Sequence, residues 1–168
     1  MLKALEWFDR AVAVILRPVV FAGMIALTAV ITLQIVSRVF FTSVSWTEEV
    51  ARFLLIWITF LGAALAFQQG RHIAVTIMRE RLPDGLRRIV TGAAILVAIA
   101  FLLTLAVIGW QYTGMQSFQK SATLRISMTW IYMVMPLSAL IMTALAVIDL
   151  LRLLTGREAR GGVSEGFE

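Results

Sequence analysis

The sequence predicts an all-α integral membrane protein with four transmembrane helices. Three observations predict it. Hydrophobic residues make up 60% of the 168 positions and mean hydropathy is +0.89. Charged residues are 15%, against roughly 25% in soluble proteins. Finally, four apolar stretches, residues 19–40, 49–70, 87–112 and 126–150, gather their charges at the ends. Each matches the roughly 20 residues that a helix needs to cross a bilayer core of about 30 Å. Together they form one membrane domain over residues 1–154, with a Gly- and charge-rich flexible tail at 155–168.

Residues 1–17 read as an amphipathic interfacial segment. Leu2, Leu5, Phe8, Val12 and Ile15 recur at helical spacing, with Lys3, Glu6, Arg10 and Arg17 on the other side. A cleaved signal peptide is disfavoured by Glu6, Asp9 and the length of the apolar run beyond. The first span follows and closes at Arg38. A short connection leads to Ser45, so spans one and two form an antiparallel hairpin.

The second span is the best specified. Ser45 and Glu48 have capping-box spacing at its start. Glu48 and Arg52 stand i,i+4 and Glu49 and Arg52 i,i+3, so the arginine can pair with either carboxylate. The chain is then uncharged from Phe53 to Gly70 and stops at Arg71 and His72. Glu49 to Arg71 covers about 33 Å of helix, close to one bilayer core. Gly62 and Ala66 make a small-xxx-small face suited to close helix approach.

Residues 70–88 are expected to be a second amphipathic segment, a short helix on the membrane surface. Pro83 ends it and Asp84 caps the next helix. The third span runs uncharged to Lys120, longer than a bilayer requires, so the helix projects beyond about Tyr112. The fourth span contains Pro136, which predicts a kink packed against a neighbouring helix.

Composition excludes several function classes. One histidine rules out a multi-histidine metal or haem site within the chain, and the lack of cysteine rules out thiolate chemistry. The net charge of +5 does not point to nucleic acid, because the basic residues flank the spans as topology signals. Eleven Lys and Arg residues fall on the side of the termini and four on the other, which predicts cytoplasmic termini. Trp46, Trp110 and Trp130 then form an outer aromatic belt. The arginines at 79–88 suit anionic membrane lipids. No span carries a charge at its middle, where ion-coupled carriers place ionisable groups or broken helices. The chain is therefore expected to need no cofactor, to be no enzyme, and to act as an accessory subunit. Glu48 and Glu49 are candidates for a partner contact or a helix-start ion pair. His72, beside Arg71, is either a titrating switch or an ordinary interfacial histidine.

Two sets of motifs resemble a known family. One is Trp46, Glu48, Glu49 and Arg52, then Leu61-Gly62-Ala63, then Gly70-Arg71-His72-Ile73 with Val75. The other is Ser121-Ala122-Thr123-Leu124-Arg125-Ile126-Ser127 with Trp130, Tyr132 and Pro136. In this order, over about Leu2 to Leu154, they resemble the Q-type small membrane subunit of tripartite ATP-independent periplasmic (TRAP) transporters. Thr76 departs from the pattern, which places an acidic residue shortly after the R-H-I-x-V motif. The resemblance implies a bacterial inner-membrane accessory permease in an ion-coupled uptake system for organic acids. It also implies two partners, a large multi-span subunit and a periplasmic substrate-binding protein. Trp46, Glu48, Glu49, Arg52, Gly62, Arg71, His72 and Pro136 become candidate subunit-contact or architectural residues. A haem-free membrane anchor of a respiratory enzyme is the alternative.

Overall fold

The structure is a computed structural model that describes the backbone of residues 2–40, 45–81 and 84–155, with side chains for all of these except 2–6, 71–85 and 87. Its order is α1 (Leu2–Phe40), α2 (Ser45–Arg81), α3 (Asp84–Met115), a 3₁₀ turn (Gln116–Phe118), α4 (Met128–Tyr132) and α5 (Val134–Leu154). Among the described residues, four stretches are long and apolar enough to cross a membrane: Trp7–Phe40, Ser45–Gly70, Arg88–Phe118 and Met128–Leu154.

Two of the expected boundaries shift. The amphipathic lead-in is not separate from the first span, because α1 continues through Pro18. Proline removes one backbone N–H, a loss that membrane helices tolerate. Residues 70–81 of the expected surface helix are likewise the continuation of α2, and residues 84–88 open α3. Gly70 costs a helix only about 1 kcal/mol, and the first strong breaker downstream is Pro83. At 37 residues, α2 is about 55 Å long and exceeds a bilayer core. The predicted tail beyond Thr155 lies outside the described residues.

The fourth span is broken, as Pro136 predicts. The break falls at Met133, between α4 and α5. Pro136 has no N–H for the Tyr132 carbonyl, and its ring crowds that carbonyl. The chain bridges the gap with the Met133 N–H to Thr129 at 2.9 Å and the Leu137 N–H to Met133 at 3.2 Å. The neighbour that accommodates the break is Gly109 of α3. A Cβ there would lie 3.3 Å from the Pro136 nitrogen.

Helix α5 is the hub. Val134, Pro136, Ser138, Ala139, Met142, Thr143, Leu145, Ala146 and Ile148 are all buried within the chain. It packs mainly against α3 and then α2, while α1 leans chiefly on α2. Leu16, Leu61, Ala64, Leu102, Val134, Met142 and Ala146 make the shared core. Lipid supplies no hydrophobic drive between helices, so close packing and polar contacts hold such a bundle together. Asp9 of α1 lies beside Arg152 of α5, so both ends of the membrane domain emerge on one side. The 119–128 loop lies on the other.

Candidate functional site

The site is built at the loop end, from the first turns of α2 and the loop between α3 and α4. The loop is a small clip. Lys120 and Ser127 form an isolated antiparallel bridge. The Ser121 N–H donates to the Ile126 carbonyl at 2.8 Å and the Met128 N–H to the Gln119 carbonyl at 2.9 Å. Arg125 turns the chain with φ of +58°, a left-handed conformation that a non-glycine residue adopts at a cost of about 1–2 kcal/mol.

The tip of this clip faces Glu49. Its carboxylate accepts the N–H of Ala122 at 3.0 Å on Oε1, and those of Thr123 and Leu124 at 3.2 and 3.0 Å on Oε2. Three successive amides thus converge on one anion, forming a backbone nest. Glu48 behaves differently. It receives Arg52 Nη2 at 3.0 Å, with both side chains about two-thirds exposed. The two adjacent carboxylates therefore have separate tasks, one across 73 residues of sequence and one within a single helical turn.

A cleft of about 440 Å³ opens beside them, lined by Gln34, Arg38, Ser45, Glu48, Glu49, Arg52, Ala122 and Thr123. Tyr112 of α3 and Tyr132 of α4 meet edge to face nearby, with ring centroids 5.2 Å apart. Trp46, Trp110 and Trp130 are exposed at this same end. Among the described residues, no group of His, Cys, Asp and Glu side chains has the arrangement of a metal site.

The opposite end has a polar cluster that the sequence reading did not single out. Gln68 Nε2 of α2 donates to the Asp9 backbone carbonyl at 2.6 Å and to Asp9 Oδ1 at 3.0 Å. Arg152 of α5 lies 3.8 Å from both Asp9 and Asp149. In the sequence Asp9 is one of several charges in the amphipathic lead-in, and no local spacing links it to Gln68 or Arg152.

The predicted residues divide accordingly. Glu48, Glu49, Arg52 and Trp46 gather at the loop end, and Pro136 is buried against α3. Gly62 does not mediate close packing within the chain, since a Cβ there would meet nothing within 4 Å. The close approaches are at Gly23, against Ile58, and at Gly109. Arg71 and His72 lie on the continuous helix α2, and their side chains fall outside the described set.

Residues 27–156 match the family model for tripartite ATP-independent periplasmic transporters, DctQ component. The chain belongs to this family. It is a multi-pass membrane protein of a transporter family, which displaces the respiratory-anchor alternative. It is 28% identical over 137 residues to the sialic acid TRAP transporter small permease protein SiaQ of Vibrio cholerae, covering 79% of both chains. It is 31% identical over 158 residues to the isethionate TRAP transporter permease protein DctMQ of Oleidesulfovibrio alaskensis. That match covers 87% of this chain and 24% of the relative. A putative TRAP transporter small permease protein of Haemophilus influenzae is 43% identical over 63 residues, 36% of this chain and 39% of the relative.

Proposed function

We propose that the chain is the accessory small permease subunit of an ion-coupled TRAP transporter for organic acids in the bacterial inner membrane, and that it acts as a fixed scaffold for a large transport subunit. The observation that carries this reading is the placement of its polar groups. The charged contacts lie at the two ends of the bundle, and no span has a charge at its middle. A chain built this way has neither a mid-membrane substrate site nor a coupling-ion site. It does have polar ties between its hairpins, which suit a body that must not deform while a neighbour moves. The chain performs no catalysis of its own.

The relatives support the substrate class and the partner. Two carry sialic acid or isethionate in their names, both organic acids. One matches this chain over only 24% of its length, which leaves room in one polypeptide for a much larger permease. The excess of basic residues on the side of the termini supports cytoplasmic termini. The cleft at Glu48 and Arg52 then faces the periplasm, where the large subunit and a docked binding protein can reach it.

Reversing charge at Glu48 and Glu49 together tests the reading. Uptake by the reconstituted system, or co-purification with the large subunit, is expected to fall. Unchanged uptake together with unchanged co-purification would contradict it.

A further inference from the structure

We propose that the turn at residues 122–124 is a carboxylate-binding site whose resident ligand is Glu49, and that a small free carboxylate takes its place when that side chain is removed. The inference stands on geometry and is independent of the transport role.

Three observations carry it. First, the amides of Ala122, Thr123 and Leu124 all point at one carboxylate at 3.0–3.2 Å and engage both of its oxygens. Such a concavity of consecutive N–H groups binds anions through fixed dipoles. Second, the loop holds its own shape. The Lys120–Ser127 bridge, the 2.8 and 2.9 Å bonds at its base and the left-handed Arg125 do not involve Glu49, so the nest persists when the glutamate is gone. Third, the site is reachable. Glu49, Ala122 and Thr123 line the 440 Å³ cleft, and Arg38 and Arg52 line it too. Arg52 is paired with Glu48. Arg38 is exposed and has no ion pair among the described residues, so it adds positive potential for an incoming anion. In the intact chain the tethered glutamate keeps the site filled and the loop latched to α2.

The test is hydrogen exchange over residues 119–128 in the purified full chain. Wild type is compared with Glu49→Ala, Glu49→Gln and Glu48→Ala, each in sodium chloride and in sodium formate at equal ionic strength. Losing hydrogen bonds to a charged acceptor is expected to speed exchange of the Ala122, Thr123 and Leu124 amides roughly ten- to hundredfold in Glu49→Ala. Formate, but not chloride, restores protection there, whereas wild type and Glu48→Ala respond to neither salt. Unchanged exchange in Glu49→Ala, or equal effects of formate and chloride, overturns the proposal. Should Glu49→Ala not fold, Glu49→Gln decides. Partial loss of protection supports the site, because a neutral amide supplies one carbonyl acceptor, and full protection refutes it.

Discussion

Gln68 of α2 donates from one nitrogen to both the backbone carbonyl and the carboxylate of Asp9 of α1, at 2.6 and 3.0 Å. Gln68 is buried, so little water competes for the bond. Interhelical polar bonds in membrane proteins average about 0.6 kcal/mol and reach about 1.7. The short distances and charged acceptor place this one toward the upper end. Gln68→Leu is expected to lower thermal stability in detergent by about 1–2 kcal/mol. Arg152→Gln is expected to cost less, because its contacts are 3.8 Å long. Thermal unfolding of both variants checks the order.

Glu48 and Arg52 form the contrasting case. Both side chains are about two-thirds exposed, and exposed i,i+4 pairs are worth about 0.3–0.5 kcal/mol. Glu48→Gln should leave the stability of the isolated chain within about 0.5 kcal/mol of wild type. A large loss of stability would mean that Glu48 is part of the fold rather than an open surface group. Loss of uptake at unchanged stability is the result expected of a partner contact.

Two glycines separate soft from hard packing. An added Cβ at Gly23 would come within 2.9 Å of Ile58 Cγ1, so the Ile58 side chain, stiff at χ1 in a helix, would have to shift. At Gly109 it would meet the Pro136 backbone nitrogen at 3.3 Å and the Met135 side chain at 3.4 Å. Pro136 sits where the fourth span is already broken and is fully buried, so it has little freedom to withdraw. Gly23→Ala and Gly109→Ala each gain about 1 kcal/mol of helix propensity, and Gly109→Ala is expected to be the less stable of the two, because a backbone atom of the buried Pro136 cannot withdraw as a side chain can. Equal thermal shifts in the two variants would contradict this distinction.

How much of this was legible beforehand depended on the range of each interaction. The four spans, the hairpins and the Pro136 break follow from local composition and from the chemistry of one residue. The Glu48–Arg52 pair was legible because i,i+4 spacing is fixed by the helix itself. The partner of Glu49 was not. Its ligands are backbone amides 73–75 residues away, and every non-proline residue carries such a group, so no side-chain pattern announces them. Two motifs, at 46–52 and 121–127, were noted separately without sign that they touch. Asp9 counted only against a cleavable signal peptide, although it accepts hydrogen bonds from Gln68 of the next helix. Within the chain, close approaches fall at Gly23 and Gly109 and not at Gly62, because spacing identifies small residues but not the helix that faces them. The segment expected at 70–88 is not separated from α2 before Arg81 for a related reason. Charged residues mark where the membrane ends, but only a breaker ends a helix, and none precedes Pro83.

Orientation is directly testable because the chain has no native cysteine. Phe118 is 95% exposed in the turn after α3, and Thr155 closes α5 at the other end. A cysteine at position 118 is expected to react with a membrane-impermeant maleimide in intact spheroplasts. A cysteine at position 155 should react only after lysis. The reverse pattern would invert the topology and move the Glu48–Arg52 cleft to the cytoplasm.

The central claim is that this chain is a transport-incompetent scaffold for a larger permease. The most direct measurement is to purify the tagged chain from its native membranes in mild detergent, identify what accompanies it by mass spectrometry, and reconstitute the chain with and without that partner. The account predicts a large multi-span membrane protein at one-to-one stoichiometry, and uptake of an organic acid only when both are present with the binding protein. Uptake by this chain alone, or a soluble redox enzyme as its stoichiometric companion, would contradict it.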